Sequence, residues 1–197
     1  MPRRPRLSYP GAFFHVTTRG NNRRSIYEDG LDRHIFLRML GRIAERYAWR
    51  VYAYCLMTTH YHLVLELPEN GLSASLCILN GGFARWSNFR QGREDHLFGK
   101  RFASIEIVRE SHLVNACRYV VLNPVYEGIV DEPGAWPWSS YRATVGEEHA
   151  PPYLAVGRLL ALFHNRPKDA VARYRAFVAE GQALWSHGLV PGTAPEM

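Results

Sequence analysis

The sequence predicts an α+β fold of ferredoxin-like type, in which helices pack against an antiparallel sheet. Two runs rich in β-branched and aromatic residues, 51–57 and 61–67, are separated only by a short polar turn, which is the pattern of a hairpin. Apolar residues recur at every fourth position over 28–47, which is the pattern of an amphipathic helix. Along the chain the predicted elements run strand, helix, strand, strand, helix, strand, helix, and this order is typical of that fold.

The first strand is predicted over residues 12–18, which are mostly β-branched or aromatic. Alternation places three of its side chains on one face: Phe13, His15 and Thr17. The helix over 28–47 begins with acidic residues, in agreement with the helix dipole. Its predicted buried face is formed by Leu31, Ile35, Met39, Ile43 and Tyr47.

The second helix is predicted over residues 72–89, with a weak point or bend where Gly81 and Gly82 lie in its middle. The segment 97–108 alternates well enough to be the fourth strand.

The third helix is predicted over residues 110–122, with Ser111 as its N-cap. Pro124 disfavours α geometry at the residue before it, so we expect this helix to end near Asn123. Tyr119 and Asn123 are four positions apart and therefore share one helix face.

The remaining chain is expected to hold an aromatic segment over 136–141 that closes a core, followed by two short helices over 154–163 and 168–184. With 197 residues, 47% of them hydrophobic, the chain suits one globular domain with a small appendage. The predicted organisation is a main domain, a small helical C-terminal extension and a disordered tail, which span 1–147, 148–190 and 191–197.

The chain is basic, with a net charge of +6, and 22 of its 24 basic residues are arginine. Arginine binds phosphate through a planar fork and stacks on bases, so this bias suits a nucleic-acid binder. A GC-rich genome that encodes its basic residues as arginine explains the bias equally well. The three cysteines indicate neither a disulfide framework nor a thiolate zinc site. Since no secretory signal or membrane span is evident, we expect a cytoplasmic protein with no membrane partner.

His60 and His62 flank one tyrosine at the start of the strand over 61–67. Alternation places both imidazoles on one face, and two neutral imidazoles side by side form half of a divalent-metal site. Alternatively, one histidine caps the turn and the other is ordinary strand surface. A metal that acts on a substrate needs a third ligand and open positions, and the amide oxygen of Asn123 is a candidate ligand.

Tyr119 would then lie one helical turn from this candidate ligand, which places its phenol beside the metal. A free phenol has a pKa near ~10 and is a poor nucleophile, but a cation that polarises a phosphodiester makes its attack credible. The product would be a covalent phosphotyrosine and a free 3′ hydroxyl, which can be rejoined without ATP. The alternatives are that Tyr119 is a plain buried helix residue or that another tyrosine reacts: Tyr61, Tyr126 or Tyr141.

Five ordered segments resemble the HUH-type single-tyrosine transposases, and most closely their REP-associated tyrosine transposase branch. The resemblance covers roughly residues 8–144. Its segments are 15–23 (HVTTRGNNR), 60–62 (HYH), 97–102 (LFGKRF), 119–125 (YVVLNPV) and 136–141 (WPWSSY).

This resemblance implies the HUH endonuclease fold, a ferredoxin-like domain. It also implies a metal-dependent endonuclease and strand-transferase that acts on single-stranded DNA at palindromic, REP-like hairpins through a 5′-phosphotyrosine. Carried onto this chain, Tyr119 is the nucleophile, and His60, His62 and Asn123 are the ligands of Mg²⁺ or Mn²⁺. A bacterial, nucleoid-associated protein is implied, as a monomer or a homodimer with Tyr119 acting in cis or in trans.

Predicted DNA contacts lie at the ends of strands and in the N-terminal segment, although plain surface charge explains each of them equally well: Arg19, Asn21, Arg23, Lys100, Arg101, Arg3 and Arg4. Two positions depart from the family pattern. Thr58-Thr59 replaces Pro-Asn before the first histidine, and Tyr126-Glu127 replaces Arg-Ala, which removes a positive charge near the site. Two other functions stay open, a non-catalytic binder of structured single-stranded DNA and a metal-dependent hydrolase of small phosphodiesters.

Overall fold

The structure, a computed structural model, describes residues 9–188. Four strands form one sheet in the order β2-β3-β1-β4, and all neighbouring strands are antiparallel. The strands are β1 (Ala12–Arg19), β2 (Arg50–Leu56), β3 (His60–Leu67) and β4 (Ala103–Ile107). The helices are α1 (Gly30–Arg46), α2 (Leu72–Gln91), α3 (Glu110–Tyr126), α4 (Tyr141–Thr144), α5 (Val156–Ala161) and α6 (Pro167–Ser186). The predicted ferredoxin-like α+β fold is confirmed. Arg3, Arg4 and the tail over 191–197 lie outside the described residues.

Side chains alternate across the sheet, so each of its faces builds a core of its own. On one face, Val16 and Leu63 pack with Phe36 of α1 and Phe83 of α2. On the other face, the sheet packs against α3 and α5, and α6 packs against these two helices. This second core includes Cys55, Val64, Cys117, Val121, Leu159 and Tyr174. The histidines of β3 lie on this second face.

Helix α1 begins later than predicted because Asp29 is its N-cap. The Asp29 carboxylate accepts hydrogen bonds from the backbone N–H groups of Leu31 and Asp32, at 2.9 and 3.2 Å. The predicted apolar face is only partly buried, and Leu31 is 50% exposed. A spacing of four residues drifts about 40° per step around a helix of 3.6 residues per turn, so the ends of such a stripe rotate out of the core.

Helix α2 is a single helix across Gly81 and Gly82, as predicted, because buried side chains on both sides of the pair pack it onto the sheet. The predicted start of the fourth strand was wrong. Strand β4 starts six residues later than predicted. The segment before it pairs with the loop after β1 instead, where the carbonyl of Leu97 accepts a hydrogen bond from the N–H of Asn21 at 2.8 Å.

Helix α3 continues through Pro124 to Tyr126, so the expected end near Asn123 was wrong. Pro124 lacks only one backbone donor near the helix end, and its side chain is buried. The predicted N-cap was also wrong. The cap position is Arg109, and no side chain bonds to the first turn there.

The segment that contains Trp136 and Trp138 covers the edge strand β2. The N–H of Leu56 donates to the carbonyl of Trp138 at 2.9 Å, and the indole N–H of Trp136 donates to the carbonyl of Leu56 at 3.3 Å. An edge strand needs such cover because its open hydrogen-bonding groups otherwise pair with other chains. Both rings pack against the cores, as predicted for this aromatic segment.

Helices α5 and α6 pack against α3 on the second face of the sheet. Leu159 of α5 and Tyr174 of α6 are fully buried in the same core as Val121 of α3. The division of the chain near residue 147 into a main domain and an extension stays a prediction. None of the helices within residues 9–188 combines the length and the apolar character that crossing a bilayer requires.

Candidate active site

Strand β3 presents His60 and His62 on the sheet face that packs against α3. Their ring centroids lie 4.9 Å apart, with the ring planes at 82°. Tyr61, between them, points into the opposite core, where its ring lies 4.7 Å from that of Phe36. His60 is 2% exposed and His62 is 5% exposed, so neither is an ordinary surface histidine of a strand.

Helix α3 brings Tyr119 to these histidines. The centroid of the Tyr119 ring lies 5.8 Å from that of His62, and the phenol is half-buried. Of the competing tyrosines, Tyr61 lies in the other core and Tyr141 packs against Tyr174. Tyr126 packs against Tyr119 on one side and Trp185 of α6 on the other, at centroid distances of 6.0 and 4.5 Å.

Asn123 lies one turn after Tyr119 and is buried. Its side-chain N–H donates to the backbone carbonyl of Tyr119 at 2.8 Å. This bond uses the amide nitrogen and leaves the amide oxygen as the atom that can bind a cation. The continuation of α3 through Pro124 keeps this residue inside the helix, which fixes its spacing from Tyr119.

Two residues of β1 contact His62 and were not assigned a site role from the sequence. The Nε2 atom of His15 lies 2.9 Å from Nδ1 of His62, and Oγ1 of Thr17 lies 3.0 Å from the same atom. Their shared strand face was predicted, but the register that sets Thr17 opposite His62 is a tertiary feature. Both contacts are on Nδ1, which leaves Nε2 of His62 as the ring nitrogen without a hydrogen-bond partner.

Glu127 was also missed. Its Oε1 atom lies 3.7 Å from Nε2 of His60, while Nδ1 of His60 lies 3.1 Å from Oγ1 of Thr59. The sequence showed Glu127 only as a departure from the family pattern. Its spacing of four from Asn123 is the signal that places it on the site side of α3.

Burial keeps the imidazoles of the site neutral. It lowers the pKa of His15 to about 4, and it lowers the pKa of His60 to about 4 with a further contribution from the charge of Arg19. The pKa of His62 lies well below its usual range because of burial, and His15, His60 and Arg19 lower it further. Neutral imidazoles are the form that binds metal ions.

Burial raises the pKa of Tyr119, and the side chain of Asn123 lowers it in part. The negative charge of Glu127 raises this pKa further, whereas the positive charge of Arg19 lowers it. The phenol is therefore protonated at neutral pH, and it needs a cation or a base near it before it can attack.

The donors around the two histidines fit a divalent cation. His62 Nε2 is buried without a hydrogen-bond partner, and a buried polar atom is seldom left so without a reason. Two imidazole nitrogens and an amide oxygen form a mixed set that leaves positions for phosphate oxygens and water. Within residues 9–188, no three His, Cys, Asp or Glu side chains form a group that could hold an ion.

The structure brings together the two segments that hold the predicted DNA contacts. Gly20 forms a β-bridge with Phe98, and the N–H of Gly99 donates to the carbonyl of Arg19 at 3.3 Å. Arg19 lies opposite His60 in the pairing of β1 with β3, at the rim of the histidine face. The predicted contacts on the two segments are Arg19, Asn21, Arg23, Lys100 and Arg101, of which all but Asn21 are exposed.

Residues 8–123 match the family model described as "Transposase IS200 like". The chain belongs to this IS200-like transposase family. The matched segment covers more than half of the chain and contains His60, His62, Tyr119 and Asn123. The IS200-like transposase is thus an enzyme of the HUH single-tyrosine type, as the sequence predicted.

A sequence relative confirms the predicted branch. This IS200-like transposase is 30% identical over 118 residues to the "Putative REP-associated tyrosine transposase" of Haemophilus influenzae. The aligned region covers 54% of this chain and 67% of the relative. Its fold is similar to the solved structure of a REP-associated tyrosine transposase bound to a REP hairpin, with a TM-score of 0.64 and 20% identity. That match covers 77% of this chain and 89% of the other chain.

Proposed function

We propose that this IS200-like transposase nicks and rejoins single-stranded DNA at palindromic, REP-like hairpins through a 5′-phosphotyrosine on Tyr119. One observation carries the proposal: α3 holds the Tyr119 ring 5.8 Å from the ring of His62, on the sheet face that presents both histidines. Family membership supports the reaction class. The hairpin bound by the structural relative supports the substrate class.

His60, His62 and Asn123 are the residues that would hold a divalent cation, Mg²⁺ or Mn²⁺. Such an ion, when bound, polarises a phosphodiester and neutralises the charge that develops on its oxygens. The protein contributes buried imidazoles that stay neutral at pH 7, together with an orphaned Nε2 on His62. Arg19 at the rim adds a positive charge beside the same phosphate position.

In the proposed reaction, the phenol oxygen of Tyr119 forms a bond to phosphorus, and the bond between phosphorus and the 3′ oxygen breaks. The phenol releases its proton as the new bond forms, and the 3′ oxygen leaves as a hydroxyl after taking up a proton. One phosphate ester replaces another, so attack by a 3′ hydroxyl reverses the step without ATP. The raised pKa of Tyr119 keeps the phenol unreactive until a polarised phosphate is in place.

Single-stranded and hairpin DNA would be held along the edge that carries the two basic segments. Arg23, Lys100 and Arg101 are exposed there, close to the end of β1 that leads from the histidine face. Guanidinium and ammonium groups bind backbone phosphates, and the amide of Asn21 is suited to a base edge or a phosphate.

The test is a covalent adduct on a hairpin oligonucleotide with a single-stranded flank. The purified protein is incubated with the labelled hairpin and Mn²⁺, and adducts are resolved on a denaturing gel. We expect an adduct that is lost in Tyr119→Phe and in His62→Ala and that persists in the matched control Tyr47→Phe. Tyr47 lies at the end of α1, against the opposite core.

The same gel separates the alternatives. A non-catalytic binder of structured DNA would retain the hairpin in Mn²⁺ and form no adduct. A hydrolase of small phosphodiesters would cleave a nitrophenyl phosphodiester as well in Tyr119→Phe as in the unmodified protein. An adduct that remains in Tyr119→Phe would contradict the assigned nucleophile.

A further inference from the structure

A buried imidazole and a hydroxyl of β1 converge on a single ring atom of His62. We infer that His15, assisted by Thr17, is a positioning residue that fixes the tautomer and the ring plane of His62 so that its Nε2 lone pair faces the cation. This inference rests on the proposed role of His62 as a metal ligand. It assigns a function to a histidine that makes no contact with substrate in the proposed reaction.

The strand pairing produces this convergence. Thr17 lies directly opposite His62 in the antiparallel pairing of β1 with β3, and His15 lies two residues away on the same face. The His15 and His62 rings are nearly parallel, with centroids 5.1 Å apart and planes at 24°. His15 is 6% exposed, so the contact is enclosed by the second core and by α3. The ring of His62 therefore has little freedom to rotate or flip.

The hydrogen-bond partners of the two ring nitrogens favour one tautomer of His62. A neutral imidazole has one N–H group and one lone pair on its two nitrogens. If Nδ1 were the acceptor, the N–H would be on Nε2, buried without any partner. If Nδ1 carries the hydrogen, it donates to Nε2 of His15 or Oγ1 of Thr17, at 2.9 and 3.0 Å. The second arrangement leaves a lone pair on Nε2, which is the atom that a metal needs.

The contact with His62 occupies one nitrogen of His15, Nε2, which lies 2.9 Å from Nδ1 of His62. His15 contacts the nucleophile only edge to face, with a centroid distance of 5.9 Å to Tyr119. His15 therefore acts by orienting His62, as partners of metal-bound histidines commonly do.

The first test measures Mn²⁺ affinity by electron paramagnetic resonance, without DNA. His15→Phe keeps a planar aromatic ring but removes both nitrogens, and we expect Mn²⁺ binding to weaken by about 10- to 100-fold. His15→Gln restores an acceptor at similar reach and should recover most of the affinity. His34→Phe is the matched control, since His34 is exposed on α1 on the opposite side of the sheet.

The second test needs no metal. Nitrogen chemical shifts of the His62 ring, measured by NMR in chelator, report the tautomer directly. We expect hydrogen on Nδ1 in the unmodified protein, and a mixture or hydrogen on Nε2 in His15→Phe. Hydrogen on Nε2 in the unmodified protein would overturn the inference even if a variant failed to fold.

The outcomes distinguish the two proposals. If Mn²⁺ binds the unmodified protein and is lost in His62→Ala, but a folded His15→Phe binds it equally well, the inference fails and the proposed site stands. If the unmodified protein binds no Mn²⁺, the proposed metal site fails, and the positioning role fails with it. Weak binding in His15→Phe that is recovered in His15→Gln supports the inference.

Discussion

At the scale of residues, burial decides the charge of the histidines and thereby makes the site dependent on pH. In the unfolded chain an imidazole titrates near its usual value of about 6.5. In the folded protein, burial lowers the pKa of both His15 and His60 to about 4. Between about pH 4 and about pH 6.5 the unfolded chain binds more protons than the folded protein, so the stability of the fold increases with pH. The full contribution is present above about pH 6.5, and it is lost as the pH falls towards 4.

We therefore expect the metal-free protein to lose about 1 kcal/mol of stability for each of these two histidines between about pH 7 and about pH 5.5. Urea unfolding at the two pH values, in chelator, measures the loss. His15→Phe should show a smaller pH-dependent loss than the unmodified protein. The matched control His34→Phe should keep the full loss, and an equal loss in His15→Phe would contradict the assignment.

At the scale of elements, α6 fixes the position of α3 and hence of Tyr119. The two helices meet at Gly181, where an added Cβ atom would lie 2.6 Å from Cδ of Arg118 and 3.1 Å from Cδ1 of Leu122. Arg118 cannot easily move, because its guanidinium lies 4.1 Å above the ring of Phe177 and donates to the carbonyl of that residue. The absence of a side chain at Gly181 thus permits the close approach of the two helices.

Gly181→Ala should destabilise the protein by about 1–3 kcal/mol, because the overpacked contact outweighs the better helix propensity of alanine. Gly81→Ala is the matched control within α2, where the added methyl meets only the end of Arg85 at 3.7 Å. That variant should be more stable by up to about 1 kcal/mol. Urea denaturation measures both, and a stabilised Gly181→Ala would show that α3 and α6 do not pack as described.

At the scale of the whole molecule, positive charge is distributed unevenly between the edge next to the histidine face and the rest of the surface. The chain has a net charge of +6, but many arginines form ion pairs elsewhere, such as Arg90 with Asp29 and Asp32. Arg23, Lys100 and Arg101 are exposed at the edge next to the histidine face. DNA affinity should therefore depend on this edge more than on the total charge.

Hairpin binding in chelator, followed by fluorescence anisotropy over a range of salt concentrations, tests this expectation. Lys100→Gln or Arg23→Gln should each weaken binding and reduce the slope of log affinity against log salt by about 0.7–1. Arg38→Gln, an exposed change on α1, removes the same charge from the opposite face and should leave the slope unchanged. Equal effects of all three changes would mean that only the net charge matters.

Much of the site was predictable because it depends on local spacing. The separation of His60 from His62 and of Tyr119 from Asn123 places each pair on one face of its element in any fold. The corrected boundaries depended on tertiary contacts. The end of α3 was mispredicted because burial of Pro124 outweighs its missing donor, and the start of β4 because its predicted first residues pair with another loop.

The sequence by itself determined the fold class, the two faces of each amphipathic element and the residue types of the site. The tertiary structure alone decided which side chains meet. Strand register set His15 and Thr17 on Nδ1 of His62, and the path of α3 set the carboxylate of Glu127 near His60. The physical reason is that local spacing fixes direction within one element, whereas contacts between elements depend on register and packing.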